Sequence, residues 1–214
     1  MRRLPFAPEG WLFLIPVIIL FAAALLIQWL TAAIILGLLA LFLINFFRDP
    51  RRAGSEHRVD VLSPADGTVV QIKDVAEGEV WEGLTKQISI FMSVFDVHVN
   101  RAPITGRIVH YRYNLGKKIA AFAEKSSSEN EQNLIVIEDS HGARVAFKQI
   151  AGLLARRIVF DKKEGDEVVR GERIGMIKFG SRVDVFFPPD AVIKVEMRAK
   201  VKVALTVIAE VGTK

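Results

Sequence analysis

The stretch Arg173-Ile-Gly-Met-Ile-Lys-Phe-Gly-Ser-Arg-Val-Asp-Val-Phe-Phe187 reads as two β-strands, Arg173–Phe179 and Arg182–Phe187, with Gly180-Ser181 between them. β-Branched and aromatic residues crowd both runs, and each is too short and too punctuated by Gly for a helix. The same texture extends outward in both directions. Val59–Leu62, Thr68–Lys73, Gln87–Met92, Gly106–Tyr113, Leu134–Glu138, Ala143–Ile150, Val168–Val169, Ile174–Lys178, Val183–Phe187 and Lys200–Ala209 all read as strands. Turn signals separate them at Ala65-Asp66-Gly67, Asn114-Leu115-Gly116, Ser140-His141-Gly142 and Pro188-Pro189-Asp190. Helix is expected only as a turn near Val94–Val97 and another across Ala120–Lys125.

Many short strands at close spacing predict a mainly β fold, a compact antiparallel β domain. Glu164-Gly-Asp-Glu-Val-Val-Arg-Gly-Glu-Arg-Ile-Gly175 sets three glycines around short apolar pairs, and Ser63-Pro-Ala-Asp-Gly-Thr-Val-Val70 enters a strand in a similar way. Both resemble the hairpin sandwich of biotinyl and lipoyl carrier domains, so the domain is expected to resemble a barrel-sandwich hybrid. No lysine stands at a hairpin tip in the carrier manner, and the likeness concerns architecture alone.

The N-terminus is of another kind. From Trp11 to Phe47 no residue is charged. As one helix this run would be about 55 Å long, against about 30 Å of hydrocarbon. Two crossings of about 17 residues, turning near Gln28-Trp29-Leu30-Thr31, fit better, as a helical hairpin spanning or re-entering the membrane. Arg2 and Arg3 before it and Arg48, Arg51 and Arg52 after it place both flanks on the cytoplasmic side. Residues 1–47 are therefore expected to be a membrane anchor at the cell membrane, and 48–214 a β-rich domain on its cytoplasmic face.

The 214 residues include no cysteine and carry a formal charge of +5. Disulfides, thiolate metal sites and a cysteine nucleophile are thereby excluded. Lys and Arg are dispersed and no nucleic-acid motif occurs; attraction to anionic lipid headgroups accounts for the basic balance better than nucleic acid does, and a merely solvated basic surface accounts for it equally well. His57, His98, His110 and His141 show no metal-ligand spacing, so no metal is expected.

Three segments hold groups able to do chemistry. Ser181 follows Gly180, whose missing Cβ lets a hydroxyl approach the carbonyl just before it. His98 lies in Phe91-Met-Ser-Val-Phe-Asp-Val-His-Val-Asn-Arg-Ala-Pro103, and on a strand Asp96 and His98 would share a face. Asp66 occupies a Pro/Gly turn. A hydroxyl, an imidazole and a carboxylate together make the set that activates a nucleophile, although no Gly-x-Ser-x-Gly elbow is present.

Four segments occur in one order: Ser63-Pro-Ala-Asp-Gly-Thr-Val, Phe95-Asp-Val-His-Val-Asn-Arg-Ala-Pro103, Gln149-Ile-Ala-Gly-Leu-Leu-Ala-Arg-Arg157 and Lys178-Phe-Gly-Ser-Arg-Val-Asp184. With Glu129-Asn-Glu-Gln-Asn133, the chain resembles the short form of phosphatidylserine decarboxylase over essentially all of 48–214. The resemblance implies a proenzyme that cuts itself between Gly180 and Ser181 into 1–180 and 181–214. It also implies that Ser181 becomes a covalent pyruvoyl cofactor. That ketone would form a Schiff base with the serine amine of phosphatidylserine, and loss of CO2 would leave phosphatidylethanolamine, a step of phospholipid biosynthesis. His98 is implied for proton transfer, with Asp66 assisting the self-cleavage. Better-known bacterial relatives carry a second histidine where this chain has Arg101, whose fork suits a lipid phosphate or carboxylate and equally a structural ion pair. The expected partners are the membrane, the phospholipid substrate, and the two cleavage fragments as a heterodimer or a higher assembly of it. The alternative is a non-enzymatic membrane adaptor with a carrier-like β domain, against which stands the lack of long heptad helices.

Overall fold

The computed structural model describes residues 5–76, 80–116, 130–152, 158–178 and 181–212. The chain divides into two compact units, Met1–Arg51 and Arg52–Lys214.

In the first unit a 3-10 turn, Pro8–Gly10, leads into helix α1, Trp11–Leu26, followed by helix α2, Leu30–Phe46. The break falls at 27–29, where Gln28 adopts φ +57° and Trp29 N donates to Ala24 O at 2.8 Å. At the other end Phe13 stacks on Phe47 with ring centroids 5.5 Å apart, and Ala7 N donates to Phe47 O at 2.7 Å. Gly10 is required here, since a Cβ would come within 2.6 Å of Phe47 side-chain atoms. Leu12, Ile19, Leu26, Leu38 and Leu41 are all exposed, as in helices that are apolar all round. Pro8–Leu26, 19 residues, is long and apolar enough to cross a membrane, and Leu30–Phe46 is shorter.

The second unit is mainly β and antiparallel. Its strands are β1 Asp60–Leu62, β2 Gly67–Ala76, β3 Leu84–Met92, β4 Val99–Arg101, β5 Gly106–Asn114, β6 Gln132–Glu138 and β7 Arg144–Ala151. They continue with β8 Ile158–Phe160, β9 Glu167–Val168, β10 Arg173–Ile177, β11 Ser181–Phe187, β12 Val192–Ile193, β13 Lys200–Val201 and β14 Val207–Glu210. Eight form one curled sheet, a half-barrel in the order β13-β2-β3-β11-β7-β6-β5-β9; two three-stranded sheets, β1-β14-β12 and β4-β10-β8, complete the unit.

The period-2 alternation of β11 explains why it is central. Val183, Val185 and Phe187 enter the main core beside Ile88, Ile90, Ile135 and Phe147. Phe186, on the opposite face, joins a smaller cluster with Leu134, Val136 and Ala146. Every residue of β11 is buried, as expected of a strand covered on both faces.

Two differences from the sequence reading have local causes. Lys200–Ala209 is not one strand: Ala204 takes φ +57°, and Leu205 N and Thr206 N both bond back to Lys202 O, so the run folds into β13, a tight turn and β14. Strands β4, β8 and β12 span only two or three residues and leave too little pattern to detect. The turn expected across Ala120–Lys125 lies outside the described residues.

Candidate active site

One end of the eight-stranded sheet collects the candidate residues. Antiparallel register sets Met92, Ser181 and Ala151 abreast on β3, β11 and β7. Two positions further in, Ile90, Val183, Gln149 and Asn133 are abreast. Alternation places both rows on the same face, the one that meets the main core.

Ser181 is fully buried and opens β11. Its hydroxyl donates to Met92 Sδ at 3.3 Å. A thioether is a weak acceptor, so the hydroxyl proton is lightly held. Gly180 lies outside the described residues.

His98, also fully buried, stands just before β4. Its Nδ1 lies 2.9 Å from Asp96 O. A carbonyl can only accept, so Nδ1 carries the hydrogen and, in the neutral ring, Nε2 holds the lone pair. His98 O accepts from Ile177 N at 3.3 Å. Ile177 closes β10, and β11 starts at Ser181, so His98 and Ser181 stand at the two ends of the 178–180 link. Fully extended, that link spans at most about 14 Å. Asp96 does not share a strand face with His98. It sits in a turn, where its carboxylate accepts from Ser93 N and Ser93 Oγ, both at 2.8 Å.

Asp66 is held in its turn from several sides. Arg52 Nη2 donates to Oδ2 at 3.0 Å, Arg52 Nη1 donates to Oδ1, and Val203 N donates to Oδ1 at 2.7 Å. Among the described residues its hydrogen bonds go to Arg52 and Val203 rather than to His98. The turn itself is tied to β4, because Pro64 O accepts from Arg101 N at 3.1 Å and from Asn100 Nδ2 at 3.2 Å. Ser181, His98 and the Asp66 turn are therefore gathered around β4. The Arg101 side chain donates from Nη1 to Gly171 O at 2.8 Å.

Several site residues carry no assigned role in the sequence reading. Asn100 Oδ1 accepts from Gln149 Nε2 at 2.7 Å, and Gln149 Oε1 accepts from Asn133 Nδ2 at 2.8 Å. Asn130 Nδ2 donates at 2.8 Å to the carbonyl of Ala151, the residue abreast of Ser181. The available signal was a polar amide inside an apolar run, which costs free energy unless it is bonded. Arg52 had been counted only as flanking charge.

A cleft of about 1010 Å³ runs along the 52–58 segment and is lined in part by Arg52, Arg58, Arg107 and Arg170; it includes neither Ser181 nor His98. Its arginines are engaged with the protein. Arg170 donates to the main-chain oxygens of Ser55, His57 and Arg58. Burial pulls the Arg170 guanidinium below its ordinary pKa, while Asp60 opposes the shift. The candidate residues Ser181 and His98 lie at the sheet end rather than along this cleft.

Comparison with known proteins gives concordant results. A family profile described as phosphatidylserine decarboxylase matches residues 39–209. A phosphatidylserine decarboxylase proenzyme of Solibacter usitatus is 49% identical over 191 residues, covering 88% of this chain and 89% of its own length. That of Amoebophilus asiaticus is 46% identical over 176 residues, 82% of this chain and 78% of its own. That of Geobacter metallireducens is 40% identical over 209 residues, 95% of each.

Proposed function

This chain belongs to the phosphatidylserine decarboxylase family of enzymes, and from that premise we propose that it decarboxylates phosphatidylserine after cutting itself at Gly180-Ser181. The observation that carries the reading is the state of Ser181: a fully buried hydroxyl, first in a central strand, whose bond goes to a thioether. A hydroxyl in a strong bond to a carboxylate or carbonyl would have to break it before attacking; this one does not.

In the self-cleavage, Ser181 Oγ attacks the carbonyl carbon of Gly180 and the 180–181 C–N bond breaks, turning the amide into an ester and freeing the amine of residue 181. Loss of the Ser181 Cα proton then expels Gly180 as a carboxylate. The remaining dehydroalanine takes up water and releases ammonia, which leaves a keto group at the head of 181–214. Water is the sole co-reactant. The site fits such a group, because residue 181 is anchored by ladders on both sides and has buried amide donors nearby. When formed, the pyruvoyl group supplies the electron demand that lets the carboxylate of the serine headgroup leave as CO2.

The other residues act around it. His98, with Nδ1–H fixed on Asp96 O, offers Nε2 to take a proton from Ser181 and later to return one to the carbon that loses CO2. Asp66 acts through its turn, which Arg52 holds from a separate segment, setting the position of Pro64 against β4. Arg101 is the candidate for the anionic part of the headgroup. The apolar helices of 1–51 anchor the enzyme where its substrate resides, with the second unit on the cytoplasmic side, and product formation belongs to phospholipid synthesis.

Intact-mass measurement tests this directly. Two chains, 1–180 and a 181–214 lighter by one ammonia than its sequence, are expected, together with conversion of phosphatidylserine in vesicles. Ser181→Ala should give one uncut, inactive chain. An active preparation made of a single unbroken polypeptide would overturn the reading.

A further inference from the structure

The amides beside Ser181 have only one orientation open to them. Asn100 Nδ2 donates to Pro64 O at 3.2 Å, and since a carbonyl cannot donate, the oxygen and nitrogen of that side chain are fixed. Its Oδ1 then accepts from Gln149 Nε2 at 2.7 Å. Gln149 Oε1 accepts from Asn133 Nδ2 at 2.8 Å, and Gln149 N donates to Asn133 Oδ1 at 3.3 Å. Asn100, Gln149 and Asn133 are all buried. Turning any one amide over would set donor against donor and oxygen against oxygen, away from water that could compensate.

A carboxamide nitrogen carries two hydrogens. One of those on Asn100 goes to Pro64 O. The other faces Met92 Sδ, 4.0 Å away, and this same sulfur accepts from Ser181 Oγ at 3.3 Å. A rigid N–H is therefore directed at the sulfur that also accepts from the oxygen of residue 181, and that acceptor is a weak and distant thioether.

We propose that Asn100 is a catalytic residue whose second N–H donates to the oxygen carried by residue 181, the Ser181 hydroxyl before the cut and the keto oxygen after it, with Gln149 and Asn133 as positioning residues that lock the amide. The proposal rests on the reading given above for Ser181. A donor fixed in advance in a buried, weakly screening site stabilises negative charge developing on that oxygen without reorganising, and removing one such donor typically slows a reaction by about 10²–10³-fold. It does so without titrating, because a carboxamide has no accessible pKa.

The discriminating variant is Asn100→Asp. In this buried place the acid is held neutral; its single O–H replaces the bond to Pro64 O, its other oxygen still accepts from Gln149, and only the second hydrogen is lost. Self-cleavage, followed on denaturing gels, should slow by about 10²–10³-fold. In whatever cut enzyme forms, kcat should fall with KM for phosphatidylserine vesicles little changed. A second measurement needs no variant: with serine labelled by 13C at Cα, the infrared band of the keto group at residue 181 should lie lower in the folded enzyme than in the unfolded 181–214 chain. It should rise again in cut Asn100→Asp. A wild-type band equal in the folded and unfolded states, or wild-type cleavage in Asn100→Asp, overturns the assignment. A wild-type chain that never cuts itself removes the parent reading and this one with it, whereas normal wild-type cutting with an unresponsive Asn100→Asp removes this one alone.

Discussion

Arg52 grips Asp66 with both arms of its guanidinium, Nη2 standing 3.0 Å from Oδ2 while Nη1 donates to Oδ1. Both side chains are nearly buried, and Val203 N adds a third donor to the carboxylate. Removing one partner strands the other charge, so Asp66→Ala should destabilise the fold by about 3–5 kcal/mol. Arg52→Lys keeps the charge but not the fork and should recover only part of the pair. Urea unfolding of the two single variants and of the double variant measures their coupling. Independent, additive losses would count against a functional pair.

The turn carrying Asp66 also depends on Gly67. A Cβ there would stand 2.2 Å from Phe91 O and 2.9 Å from Ile90 Cγ2, on the strand that ends at Met92. Gly67→Ala has to push β2 off β3 and should cost about 1–3 kcal/mol, slowing self-cleavage because Pro64 and β4 move with the turn. A melting temperature equal to that of the parent would refute the close approach.

Arg170 caps three main-chain carbonyls of one segment, donating to Ser55 O at 3.1 Å, His57 O at 2.6 Å and Arg58 O at 2.9 Å. Arg170→Met retains the aliphatic stem and should lose about 1–3 kcal/mol, because those carbonyls lose their donor. Hydrogen exchange is expected to rise across 55–60 while Ser181 still cleaves. Because the Arg170 side chain donates to the 55–58 main chain rather than to Ser181, His98 or Asn100, a loss of cleavage with unchanged stability would contradict this division of roles.

His98→Asn is the sharper test of the imidazole. The shorter amide can still donate to Asp96 O and hold the turn, but nothing replaces Nε2. Proton transfer of this kind is worth about 10²–10⁴-fold, so cleavage, decarboxylation or both should fall by that amount with the melting temperature nearly unchanged. Wild-type rates for both would assign His98 a structural role.

The strands that pack the core were readable from Val, Ile and Phe in period two, because burial on one face imposes that pattern directly. The site was readable only in part. Ser181 is a candidate on sequence because it follows Gly180, whereas Asn100, Gln149 and Asn133 look in the sequence like interruptions of apolar runs. Their meaning depends on three strands that are distant along the chain meeting at one sheet end. Asp96 misled for the opposite reason: its local bonds to Ser93 replace strand geometry by a turn, which alternation along the sequence does not reveal. Ala204 carries no turn chemistry of its own, so the break between β13 and β14 had no local signal.

The proposed cut at Gly180-Ser181 would leave two pieces that share strands and a core. The piece beginning at Ser181 supplies β11, paired to β3 over seven residues and to β7 over six, in the middle of the large sheet. It also supplies β13 against β2, and β14 between β1 and β12. Its strands thus enter two of the three sheets, and Val183, Val185, Phe187, Ile208 and Ala209 lie in the same core as Ile88, Ile90 and Phe147. Cutting one peptide bond at the head of β11 removes none of these contacts. The two chains should therefore co-elute as one particle in detergent without denaturant, separate only in urea or on denaturing gels, and melt in a single transition. Dissociation of the short chain under native conditions would mean that the β3–β11–β7 ladder does not survive processing.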